Sequence, residues 1–182
     1  HVVTFLLALF SVGIGIGSLL CERMSGRRVE LGLVPFGSIG LTVFAVDLWL
    51  ASRHLHANAL AGLEVFLASP AHWRVAADLM LIGLFGGFYI VPLYALIQER
   101  SPPSHRSRII AANNILNALF MVTSAGLAIA LLAAGYSIPE LFLVTALMNA
   151  AVAGRPVVRE HLADIEHERR TGYAWYVDAP AT

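Results

Sequence analysis

Apolar residues in this chain fall in long unbroken blocks, not in the alternating or three-and-four spacing of a soluble domain. Residues 2–20 carry no charge at all, and residues 31–51 carry one, Asp47. A third block covers 75–97, with Asp78 near its start, and a fourth covers 109–134, uncharged but holding Asn113, Asn114 and Asn117. At about 1.5 Å rise per residue, each is long enough to cross a hydrocarbon layer of about 30 Å as a helix. Membrane strands would instead be runs of about ten residues with alternating polarity. A fifth block opens at Pro139, which suits a first helical turn, and stays apolar apart from Thr145 and Asn149 until Gly154-Arg155-Pro156 breaks it. The pattern predicts an all-α integral membrane chain with helices at about 2–20, 31–51, 75–97 and 109–134 and a truncated one at 138–153. A polar tail, 154–182, holds four Arg and five acidic residues.

Composition agrees with the pattern. The chain is 58% apolar and 13% charged, with a mean hydropathy of +0.72, where a soluble domain carries about 25% charged residues. Twelve basic and twelve acidic residues balance, so no positive field points to a nucleic-acid partner. The single Cys21 excludes a disulfide framework and a cysteine-based zinc site. The opening stretch has neither a basic leader nor a small-residue cleavage site, so no signal peptide is expected there. Arg23, Arg27 and Arg28 in the first connection and Arg100, Arg106 and Arg108 in the third place those loops on the cytoplasmic side and His1 outside. The semi-apolar connection 52–74 is expected to lie in the membrane interface.

The polar residues inside or beside these blocks are the candidates for chemistry. Gly13 and Gly17 form a small-xxx-small pair suited to close helix approach; a dinucleotide loop would need a strand before it and a βαβ unit around it. Glu22 and Arg23, with Gly26, Arg27 and Arg28, form a loop of both charge signs, expected to act as a latch between moving helix bundles. Glu22 there can accept from the open N–H groups of a neighbouring helix start. Asp47 lies well within its block, where a charge costs several kcal/mol near the centre and so faces a cavity or a partner, or, four residues from the block's end at Ala51, reaches the interface. Tyr89 and Tyr94 flank Pro92 after Gly86-Gly87, a combination that makes a helix bendable. Asn113 and Asn117 share a helix face and line a polar cavity or bond to a neighbouring helix. The histidines, including His54, His56 and His72, are read as surface residues. No metal site, cofactor site, Walker loop or nucleophile elbow is expected.

The stretch Gly13-x-Gly15-x-Gly17-Ser18-Leu19-Leu20-Cys21-Glu22-Arg23, completed by Gly26-Arg27-Arg28, resembles the loop between the eighth and ninth helices of the major facilitator superfamily. It has one extra residue, and Glu22 stands where an aspartate is usual. Residues 29–35, 86–94 and 104–117 are similar to the bacterial lysophospholipid transporter branch of that superfamily. The resemblance covers about residues 2–151. It implies part of the C-terminal six-helix half of a twelve-helix transporter, holding helices eight to eleven and part of twelve, whose two halves rock about a central site. It further implies lysophosphatidylethanolamine as substrate, flipped inward across the bacterial cytoplasmic membrane. A missing N-terminal half would be the partner, membrane lipid the surroundings and a fused acyltransferase domain a possible neighbour. In the latch loop it assigns Glu22, Arg23, Gly26, Arg27 and Arg28; Asp47, Tyr89, Tyr94, Asn113 and Asn117 remain cavity candidates on their own chemistry.

Residues 172–179 resemble an acyltransferase stretch in which a histidine five residues before an aspartate activates the acceptor hydroxyl. Tyr173 stands in the histidine position, and a phenol titrating near pH 10 is a poor base, so this chain is expected not to be an enzyme. Two alternatives stand beside the transporter reading: the membrane anchor of an acyltransferase fusion, and a truncated remnant without activity.

Overall fold

The computed structural model describes residues 1–26, 32–53, 55 and 62–153; the tail 154–182 lies outside them. The described residues form helices α1 (Val2–Met24), α2 (Leu33–Ser52), α3 (Leu63–Ala68), α4 (Pro70–Arg100), α5 (Arg106–Ala133) and α6 (Ile138–Ala153), with no strand among them. Four of these, α1, α2, α4 and α5, are long and apolar enough to cross a membrane. The chain is a multi-pass helical membrane protein. At 16 residues, α6 is shorter than a full span.

The main departure from the expected boundaries is α4, which starts at Pro70 instead of at 75. The charged side chains of Arg74 and Asp78 made the sequence look like a span edge. Arg74 is accommodated because Asp47 on α2 faces it, and Pro70 costs no backbone bond in a first turn. Helix α3, just before α4, packs on the bundle. Phe66 of α3 is buried, stacks on His72 with ring centroids 4.5 Å apart and meets Phe5 of α1 edge-on. His72 is therefore half-buried, with Nδ1 2.9 Å from the Phe66 carbonyl oxygen, and is not the plain surface residue its position suggested.

Helix ends follow local rules. Gly135, at φ +93°, ends α5 in the left-handed region, with its N–H on Leu132 O and that of Tyr136 on Leu131 O; an αL glycine past the last turn satisfies orphan carbonyls in this way. Directly before α6, the Ser137 N–H donates to Glu140 Oε2 at 2.6 Å, the reciprocal bond of a capping box.

Helix α4 is the centre of the bundle, packed by α1 on one side and α2 on the other. Its pairing with α1 is parallel: Gly13 lies against Met80 and Leu84, and Gly17 and Ser18 against Leu84 and Gly87. The Gly13/Gly17 pair of α1 thus interlocks with a matching Gly83/Gly87 pair of α4, all four buried, and the backbones touch where side chains would hold them apart. The pairing with α2 is antiparallel, since Gly37 meets Tyr89 and Asp47 meets Arg74. Phe36, Phe44, Phe85 and Phe88 fill this second seam with ring centroids 5.3–6.1 Å apart. Helix α6 lies along α2. Helix α5 stands apart, with no buried residue among those described.

Candidate functional site

Polar side chains within apolar helices need partners, and the structure places the candidates in three groups along the spans. The first is the end of α1. Glu22 and Arg23 are exposed there, and the Glu22 carbonyl accepts from Ser25 Oγ at 3.1 Å. Gly26 follows at φ +56°, a left-handed turn that a β-carbon disfavours by about 1–2 kcal/mol. Arg27 and Arg28, the other two residues of the expected latch, lie outside the described residues.

The second group joins α4, α5 and α6. Asn117 of α5 donates from Nδ2 to the Tyr94 hydroxyl of α4 at 2.8 Å, so two cavity candidates meet. Asn113, one turn earlier on the same face of α5, is half-buried. Tyr89 lines a cavity of about 350 Å³ whose other walls include Ser124 of α5 and Thr145, Met148 and Asn149 of α6. The cavity is walled mainly by apolar side chains, with a few hydroxyl and amide groups at its edge. That is the lining common to small-molecule sites. Gly86 and Gly87, read together as a bending point, differ here. Gly87 packs on Gly17 and Ser18, while a β-carbon at Gly86 meets open space.

Asn149 itself was passed over in the sequence, yet it makes the densest polar contact between helices. Its Nδ2 donates to Ser38 O and to Thr42 Oγ1, both at 2.8 Å, and its Oδ1 accepts from Ser38 Oγ at 3.3 Å. Ser38 and Thr42 stand one turn apart on α2, the only hint the sequence offered. Replacing Asn149 by leucine is expected to cost about 1–2 kcal/mol, the upper part of the range for interhelical side-chain bonds in membranes. Denaturant unfolding in detergent micelles measures it, and an unchanged midpoint would remove the network from the account.

The third group lies at the opposite end of α2 and α4 from the Glu22 loop. Arg74 Nε donates to Asp47 Oδ2 at 3.1 Å, and its Nη2 binds Asp47 Oδ1, a two-pronged guanidinium–carboxylate pair. Asp47 and Arg74 are both partly open to the surroundings, so Asp47 has found a partner on a neighbouring helix. Asp78 is 3% exposed, within hydrogen-bonding reach of Asp47, and its Oδ2 is buried with no hydrogen-bond partner among the described residues. Arg74 escaped the sequence reading because it fell outside the expected helix. Among the described residues, no group of His, Cys, Asp or Glu is placed to hold a metal ion.

Over 103 residues the chain is 38% identical to the lysophospholipid transporter LplT of Escherichia coli, a stretch that makes up 55% of this chain and 25% of that protein. LplT of Shigella flexneri serotype 5b matches at the same identity over 26% of its length. The chain spans about a quarter of the length of these curated relatives. No protein-family model matches the chain, and no solved structure matches it. The chain is therefore a helical membrane protein distantly related to lysophospholipid transporters.

Proposed function

We propose that this chain forms part of a secondary transporter that flips lysophospholipid, with lysophosphatidylethanolamine as substrate, across a bacterial cytoplasmic membrane by alternating access. The observation that carries the reading is the 38% identity over 103 residues to lysophospholipid transporters. The geometry suits it. Tyr89 lines the cavity between α5 and α6, and Tyr94 and Asn117 join α4 to α5 beside it, with Asn113 one turn earlier on α5. Helix α5 has no fully buried residue, which leaves a face open for a second bundle. A second six-helix half closes the site from the other side, and Glu22, Arg23, Gly26, Arg27 and Arg28 latch the halves in one of the two states. The reading makes the chain a transporter and not an enzyme; an acyltransferase domain is a neighbour that would consume the flipped lysolipid.

Cells that express the gene's whole reading frame are expected to take up labelled lysophosphatidylethanolamine supplied outside, and cells lacking it are not. Equal uptake in the two would refute the substrate. Within the site, Tyr94→Phe removes the acceptor for Asn117 and is expected to slow uptake several-fold while leaving the amount of protein in the membrane unchanged. Full uptake by that variant would take the Tyr94–Asn117 bond out of the transport site.

A further inference from the structure

The third polar group has a charge count that does not close. It contains two carboxyl groups and one guanidinium, and Arg74 is already engaged by both oxygens of Asp47. Asp78 is thus left without a counter-charge in a place where it is almost wholly buried and its Oδ2 has no partner among the described residues. Among the described residues of the neighbouring helices, other charges do not supply one. Helix α1 carries no ionisable side chain from Val2 to Leu20, and Glu64 of the adjoining α3 is exposed and of the wrong sign. His72, on α4 itself, is taken up by Phe66. A second carboxylate this close to Asp47 would also repel it, whereas two carboxyl groups sharing one proton attract.

We propose that Asp78 is a proton-binding site: its carboxyl group holds a proton in this conformation and gives it up when Arg74 changes partner. The exchange balances. Arg74 leaves Asp47 for Asp78, the O–H bond of Asp78 breaks, and the proton passes to the freed Asp47, so one carboxylate and one carboxylic acid stand beside one guanidinium before and after. Asp47, unlike Asp78, is open to the surroundings, and from there the proton is lost to water. The three residues join the end of α2 to the start of α4, so a shift between these two helices decides which carboxyl Arg74 binds. The site couples proton exchange to helix movement whatever molecule the protein carries, and it does not rest on the lysolipid reading.

Infrared spectroscopy of the full chain in lipid vesicles at neutral pH tests this, because a protonated carboxylic acid has a carbonyl stretch that carboxylates lack and that shifts in heavy water. The expected result is one such band, lost in Asp78→Asn. It is lost in Asp47→Asn as well, because Arg74 then pairs with Asp78 and ionises it. The second variant keeps the test decisive should the first fail to insert. Absence of the band in the parent protein, or a band that survives Asp78→Asn, would overturn the site. A band that persists in Asp47→Asn would overturn the exchange.

Discussion

Replacing Gly17 with alanine is expected to part α1 from α4 and lower stability by about 3 kcal/mol, at the high end of what overpacking costs. A β-carbon at this position runs into the Leu84 carbonyl group, which is backbone and has no rotamer through which to yield. At Gly87 the same atom would sit 2.7 Å from Ser18 N, so Gly87→Ala is expected to act in the same direction. Gly15 supplies the control. It lies in the same helix with nothing within 4 Å of an added β-carbon, so Gly15→Ala is expected to leave stability unchanged or raise it by up to about 1 kcal/mol through helix propensity. Unfolding in micelles by denaturant, followed through helix signal, separates the three variants. Equal midpoints for Gly15→Ala and Gly17→Ala would mean that the glycine seam does not hold α1 on α4.

Arg74→Met is the second large perturbation. It leaves Asp47 and Asp78 facing each other with no guanidinium beside them, so two carboxyl groups share one site without a counter-charge. The sign with pH follows from the charges. Protonation neutralises the carboxylate left unpaired, so the variant's deficit against the parent is expected to be greatest above neutral pH and to shrink in mild acid. The double variant Arg74→Met with Asp47→Asn removes the stranded charge and is expected to recover much of the loss. A deficit that ignores pH, or a double variant worse than the single one, would show that Arg74 matters for packing along its aliphatic stem and not for its charge.

The membrane spans were legible because charge-free blocks of this length have one physical solution, a helix with its backbone bonds satisfied internally. The Gly13/Gly17 seam was legible on one side only. Small residues four apart mark a contact, but Gly83 and Gly87 became its other half only when α1 and α4 were seen to run parallel. The start of α4 was hidden by Arg74, because a sequence shows the cost of its charge but not the Asp47 that offsets it from another helix. The tie of Asn149 to Ser38 and Thr42 bridges more than a hundred residues of chain, a separation that no local pattern records. Of the expected cavity residues, Tyr94 and Asn117 meet directly and Tyr89 lines the neighbouring cavity. Asp47 belongs to a different group toward the end of α2, with Arg74 and Asp78.

The central claim is lysolipid transport, and its most direct measurement is flipping in a purified system. Proteoliposomes holding this chain together with the second six-helix half are loaded with fluorescent lysophosphatidylethanolamine in one leaflet, and its appearance in the other is timed with a membrane-impermeant quencher. The account predicts a rate well above that of protein-free vesicles, reduced at least several-fold by Tyr94→Phe and saturable by unlabelled lysophosphatidylethanolamine. A rate equal to that of empty vesicles would contradict it, as would flipping that unlabelled lysolipid does not compete away.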